Sequence, residues 1–137
     1  MLELTRFLRL SCLFLAIACP GVLHAQKVNF DSLKTVIDRY PSEDTTKARM
    51  LVNFANDIRR TDQAKGIAAA DQAIAIAERL HQPVLVADAY VVKGLNLFNQ
   101  RRQMDGFATI EQALQIYEEQ HNDYWTAMTA ARLGELY

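Results

Sequence analysis

The stretch DQAIAIAERLH at residues 71–81 is followed, 40 positions later and without a gap, by EQALQIYEEQH at residues 111–121. Seven of the eleven positions are identical or conservatively changed. The same offset relates Gly66 to Gly106 and Gly94 to Gly134. Self-similarity at a period of about 20–50 residues is typical of chains built from stacked supersecondary units. The repeated stretch therefore predicts an all-α repeat architecture with a period of about 40.

Each repeated unit contains two segments with helical periodicity. Apolar residues recur every three or four positions, which places them on one face of a helix, as in Met50, Leu51, Phe54, Ala55 and Ile58. Candidate N-terminal caps precede the segments at Asn29, Asp44 or Thr45, Asp62 and Asn122. We expect six helices, at about 28–40, 45–60, 63–80, 83–99, 104–119 and from 123 onward.

The composition fits one folded, helix-rich domain. Of the 137 residues, 50% are hydrophobic and 23% are charged, and there are only 5 Gly and 3 Pro, which argues against disorder. A chain that starts at Gln26 carries 13 basic and 15 acidic residues. Such a balance offers no electrostatic basis for binding nucleic acid.

Residues 1–25 have the layout of a secretory signal peptide. Arg6 and Arg9 form a short positive start, residues 10–18 are an apolar run, and a small residue stands at Ala25. The stretch before His24 without a charged residue, residues 10–23, has 14 residues, whereas a membrane-spanning helix needs roughly 20. We therefore expect an exported protein, on the periplasmic or extracytoplasmic side of the membrane.

The processing of this segment has three alternatives. Cleavage after Ala25 gives a simple secreted chain, although Leu23 stands where a small residue is preferred. Residues 16–19 resemble a weak bacterial lipobox, which would make Cys19 the lipid-bearing residue. An uncleaved anchor is the third alternative. We thus expect the protein to contact a membrane only through its signal peptide or a lipid anchor.

The sequence offers no recognisable chemistry. Both cysteines, Cys12 and Cys19, lie in the signal segment, and no P-loop, HExxH motif or Ser-centred elbow occurs. His81 and His121 are interpreted as residues that close helices, and a metal pair is the alternative, without a repeated Asp or Glu pattern to support it. We expect no catalytic residue, no cofactor and no metal.

The helical pairs resemble the tetratricopeptide repeat (TPR) family. The small and large apolar positions of that family's pattern are occupied in the second unit by Gly94, Leu97, Gly106, Ile110 and Ala113. The first unit matches at Ala55, Ile58, Gly66, Ala70 and Ala73, and the third at Leu133, Gly134 and Tyr137. The resemblance covers about residues 45–137. The sequence departs from the family pattern at Lys93, Arg101 and Gln103.

The resemblance implies a right-handed α-solenoid of helix-turn-helix repeats. It implies a capping helix over residues 26–43, a first repeat over 44–82, a second over 83–122 and an incomplete third over 123–137. Repeat-packing positions would be Ala55, Gly66, Ala73, Gly94, Gly106, Ala113 and Gly134. The alternative is a generic antiparallel helix bundle.

Mapped on the family's repeat, a ligand groove would be lined by the first helix of each unit. The first repeat would contribute Arg49, Val52, Asn56 and Arg59, and the second Asp88, Val91, Leu95 and Asn99. Such a mixed surface suits a peptide or another protein, and the alternative is ordinary surface. Tyr124 and Trp125 are interpreted as packing residues, with ligand stacking as the alternative.

The layout is also similar to the N-terminal part of exported bacterial repeat proteins. The similarity rests on residues 31–33, DSL, and residues 44–48, DTTKA, after the signal segment. Many such proteins continue into a histidine kinase or a DNA-binding output domain. We therefore expect a non-catalytic scaffold that binds a protein or peptide, as the sensory or docking part of a larger signalling protein.

The alternative function is a stand-alone periplasmic adaptor or lipoprotein. An enzyme is a third alternative, which the sequence favours least. Leu133, Leu136 and Tyr137 end the sequence inside the third repeat. A solenoid buries each unit against the next, so this open repeat is expected to favour self-association or a poorly stable C-terminal end.

Overall fold

A computed structural model describes residues 29–136, and this part of the chain is helical without strands. The helices are α1 (Phe30–Arg39), α2 (Thr45–Ile58), α3 (Gln63–Arg79), α4 (Pro83–Asn99), α5 (Gln103–Glu119) and α6 (Asp123–Leu136). The expected all-α class is confirmed. The bounds of α4 agree with the expected 83–99, and Val28, expected to begin the first helix, lies outside the described residues. None of these helices is both long and apolar enough to cross a membrane.

Short polar side chains begin most of the helices. The side chain of Asn29 accepts a hydrogen bond from the Ser32 N–H, and that of Asp44 accepts two, from Thr46 and Lys47. Asp62 and Asn122 do the same for the starts of α3 and α6. These oxygens satisfy N–H groups that have no partner inside the helix, so the boundaries follow from local sequence.

Three turns share one backbone geometry at intervals of 20 residues. His81, Arg101 and His121 have positive φ angles of 51°, 63° and 52°. In each turn the next N–H returns to a carbonyl five residues earlier, as from Gln82 to Ala77 at 2.9 Å. This Schellman geometry satisfies the last carbonyls of the helix and reverses the chain within three residues. The two histidines thus end helices through their backbone conformation, which Arg101 shares.

Consecutive helices pack on each other, and α2 also packs directly on α4. The main core lies where α3 sits between α2 and α4, and its closest positions are Ala69, Ala70, Ala73 and Ala77, each 0% exposed. Small side chains allow the three helices to approach closely. The first helix covers one side of α2, where Phe30 meets Phe54 edge to face with ring centroids 6.4 Å apart.

The backbones of α4 and α5 approach closely at two glycines. A Cβ added to Gly94 would lie 2.4 Å from Ile110 Cγ1 and 2.9 Å from the Gly106 carbonyl oxygen. A Cβ added to Gly106 would lie 2.7 Å from the Phe98 ring. Both positions therefore require the absence of a side chain. Gly134 differs from the packing role expected for it, because no neighbouring side chain or helix among residues 29–136 lies within 4 Å of the place its Cβ would take.

Two amide side chains of α4 hold the C-terminal end of α2. Asn96 is 0% exposed, and its Nδ2 donates to the Ala55 carbonyl at 3.0 Å. Asn99 Nδ2 donates to the Arg59 carbonyl at 2.8 Å. Gly66 on α3 leaves the room that the Asn96 side chain occupies, since a Cβ there would lie 2.2 Å from Asn96 Oδ1. The Arg59 carbonyl lies beyond the last turn of α2 and accepts from Asn99 and from Gln63 Nε2, so both α4 and α3 satisfy it.

The glycine contact gives a matched pair of substitutions. We expect Gly94→Ala to destabilise the fold by about 1–3 kcal/mol, because the methyl group overlaps Ile110 and a backbone oxygen. Gly134→Ala adds the same methyl group in open space and should raise stability by up to about 1 kcal/mol through helix propensity. Urea unfolding measures both. Equal effects at the two positions would contradict the close approach of α4 and α5.

Candidate functional site

A cavity of about 310 Å³ lies where α2, α4 and α6 face one another. Its apolar wall consists of Val52 from α2, Val91 and Val92 from α4, and Met128 from α6. Its polar groups are Asn53, Asp88, Thr129 and Arg132. Alternate helices thus contribute to one open site, which we call the groove pocket.

Tyr117 forms the floor of the groove pocket. It belongs to α5 but reaches between the two neighbouring helices, and it is 1% exposed. Its phenol O–H donates to Asp88 Oδ1 on α4. Its ring stacks on Trp125 of α6, with centroids 6.2 Å apart and planes 21° apart. One side chain therefore links three helices.

Burial raises the pKa of the Tyr117 phenol, and the hydrogen bond to the Asp88 carboxylate raises it further. Both effects act against the charged phenolate. The phenol remains a hydrogen-bond donor throughout the neutral range. This keeps Asp88 Oδ1 engaged and fixes the orientation of the carboxylate at the edge of the pocket.

The α6 side of the groove pocket presents both apolar surface and a positive charge. Trp125 and Met128 are 42% and 44% exposed, although both are large apolar side chains. Arg132 stands beside them and makes no ion pair with any residue in the range 29–136. Exposed aromatic and Met side chains beside such a guanidinium are common features of binding surfaces.

Three of the predicted groove residues line the groove pocket, namely Val52, Asp88 and Val91. Arg49 and Asn56 are exposed on α2 outside its lining.

The other predicted groove residues have structural contacts. Asn99 is bonded to the Arg59 carbonyl, so these two residues join α2 to α4. The placement of Leu95 differs from the prediction, because it is 7% exposed and packs with Ile110 and Leu133. Its side of α4 is turned toward α5 and α6, where the core continues.

Sequence reasoning did not place Asn53, Val92, Tyr117, Met128, Thr129 and Arg132 in the groove. The 40-residue offset offered a signal for two of them, since it maps the predicted groove residues Val52 and Asp88 onto Val92 and Met128. For Tyr117 the signal was the change from Ala77 at the equivalent position. The sequence pattern does not predict that α5, the second helix of its pair, places a side chain in the groove, because this depends on how the helices pack.

Within residues 29–136, no group of three or more His, Cys, Asp or Glu side chains is arranged to hold an ion.

No protein-family model matches this chain, and it has no significant similarity to any curated protein or any solved structure.

The hydrogen bond between Tyr117 and Asp88 predicts an alkaline loss of stability. We expect Tyr117→Phe to cost about 1–2 kcal/mol near neutral pH, because the half-buried carboxylate loses its donor. The ordinary tyrosine pKa is 10.0 and folding raises it, so the unfolded chain loses this proton first as the pH rises. The wild type therefore loses stability above about pH 10, and the variant does not share this loss.

Urea unfolding at about pH 8 and about pH 11 measures the difference between the two proteins. The difference in the free energy of unfolding between the wild type and Tyr117→Phe should become smaller at the higher pH. Tyr124→Phe is the control, because Tyr124 is 65% exposed and its removal should leave the pH profile of the wild type unchanged. A gap that stays constant or widens would show that the folded state does not protect the Tyr117 proton.

Proposed function

We propose that the chain is a non-catalytic interaction scaffold that binds a peptide or an extended segment of a partner protein. The observation that carries this proposal is the groove pocket, to which α2, α4 and α6 all contribute. A site shared by alternate helices offers one continuous surface along the stack. Extended segments bind such surfaces through a few anchoring side chains.

The size and chemistry of the pocket support a peptide ligand. A volume of about 310 Å³ is at the lower end of the range for small-molecule pockets, which is about 300–1,000 Å³. It suits one large side chain of a longer ligand. The amide of Asn53 and the hydroxyl of Thr129 stand beside the apolar wall, where backbone groups of an extended segment need partners.

For residues 44–137 we propose a right-handed α-solenoid of TPR-like repeats, with units at 44–82, 83–122 and 123–137. The spacing of the helices supports it. The starts of α4 and α6, at Pro83 and Asp123, are 40 residues apart, and so are the starts of α3 and α5, at Gln63 and Gln103. A generic bundle does not require this regularity.

The place of action that we propose is outside the cytoplasm. This proposal rests on residues 1–25, which lie outside the described part of the chain. The scaffold would be the sensory or docking part of a larger signalling protein, and a stand-alone periplasmic adaptor or lipoprotein is the second candidate. N-terminal sequencing of the exported chain should give Gln26, or a lipid-modified Cys19 for the lipoprotein. An intact chain confined to the cytoplasm would contradict export.

Peptide binding is tested with two Met→Glu variants. Peptides selected from a randomised display library against the wild-type protein serve as probes, and the fluorescence of Trp125, the single Trp, reports binding. We expect Met128→Glu to weaken binding at least about tenfold, or ~1.4 kcal/mol, because it places a charge in the apolar wall.

Met104→Glu is the matched control. Met104 is 79% exposed and lies outside the groove pocket, so binding should be unchanged. Circular dichroism checks that both variants are folded. Selected peptides that bind both variants as tightly as the wild type would place their site elsewhere and would refute the groove proposal.

A further inference from the structure

The groove pocket lies at one of two equivalent junctions between units. At the first junction the 40-residue offset places Ala48, Ala77 and Leu85, which are 0%, 0% and 4% exposed. At the second junction the same three positions hold Asp88, Tyr117 and Trp125. Two small residues and an aliphatic one are thus replaced together by a carboxylate, a phenol and an indole.

The two junctions differ in how the helices meet. At the first, α2 and α4 pack directly on each other. At the second, α4 and α6 meet through side chains such as Leu95 and Leu133, which share one cluster, and few of their backbone positions approach closely in the described residues. The Tyr117 side chain stands between them, bonded to Asp88 on one side and stacked on Trp125 on the other. The larger residues therefore coincide with the wider junction.

The Tyr117 side chain is held in one position. Its ring is 1% exposed, so it cannot leave for solvent without uncovering apolar surface. Its phenol group ends on a carboxylate, which makes a charge-assisted hydrogen bond, a stronger kind than one between neutral groups. A side chain fixed at both ends sets the distance between the elements that it separates.

We propose that Tyr117 is a spacer that holds α6 away from α4 and thereby keeps the groove pocket open for an aromatic or long aliphatic side chain of a bound peptide. The occupant's identity rests on the proposed function, whereas the spacer role does not. Tyr117 is thus a positioning residue, and it determines specificity through the width of the junction. At the equivalent first junction, Ala48, Ala77 and Leu85 are all buried.

The walls of the opening favour an apolar occupant. Trp125 is 42% exposed, whereas its equivalent in the closed junction, Leu85, is 4% exposed. Met128 is 44% exposed on the same helix, and Val91 lines the opposite wall. A large apolar side chain inserted between them removes this surface from water. Asp88 and Arg132, of opposite charge, flank the opening, so neither sign of net charge is favoured there.

Acrylamide quenching of the single tryptophan tests the spacer in the full chain. If Tyr117 is a spacer, Tyr117→Ala lets α6 settle on α4, and the quenching constant of Trp125 should fall by about half, toward the shielding that Leu85 has in the closed junction. If Tyr117 only fills core space, its removal leaves a void beside the indole, and quenching should rise. Quenching that rises or stays unchanged overturns the proposal.

A second measurement covers the case in which Tyr117→Ala fails to fold. The triple variant Asp88→Ala, Tyr117→Ala, Trp125→Leu converts the second junction to the composition of the first. Spin labels at Asn56→Cys and Ala131→Cys, with Cys12 and Cys19 replaced by Ser, report the distance between α2 and α6. We expect this distance to shorten by several ångström in the triple variant. The spacing should not change in Tyr117→Phe, which keeps the ring.

The outcomes separate the two proposals. If the distance shortens and the display-selected peptides bind Met128→Glu as tightly as the wild type, the spacer is supported and the groove function is refuted. An unchanged distance in the folded triple variant refutes the spacer, whatever the peptides do. A shortened distance together with loss of binding of the groove-dependent peptides supports both.

Discussion

The close approach of α4 and α5 at Gly94 and Gly106 is the constraint on which the rest of the structure depends. With no side chain at either position, Ile110 and Phe98 can pack directly over the opposite backbone. The tight pairing fixes the axial position of α5 relative to α4, and so it determines that Tyr117 lies level with Asp88. The site thus depends on a contact about three turns away along α5 and fewer than two turns away along α4.

The regular turns give successive helices the same spacing along the chain. Because His81, Arg101 and His121 reverse the chain in the same way, each helix begins 20 residues after the previous one from Gln63 onward. Equivalent side chains therefore meet at equivalent places in successive units. The proposed binding function then depends on positions where successive helix pairs differ, and three such differences, at Asp88, Tyr117 and Trp125, lie in the groove pocket.

The features that could be predicted from the sequence are local ones. Helix limits follow from caps such as Asp44 and from apolar periodicity, and the small residues Gly66, Gly94 and Gly106 follow from the repeat. What could not be predicted depends on which neighbours a helix has. Leu95 is turned inward because α4 lies against two later helices. Gly134 has open surroundings because little of the described chain packs on that side of α6.

The central claim is that Tyr117 joins α4 to α6 at the floor of the groove. A NOESY spectrum of the chain tests it most directly, since the single indole makes the assignment unambiguous. The account predicts cross-peaks from the Tyr117 ring to both the Trp125 indole and the Asp88 β protons. Their absence, in a spectrum that retains cross-peaks between Phe98 and Phe107 with centroids 4.7 Å apart, would contradict it.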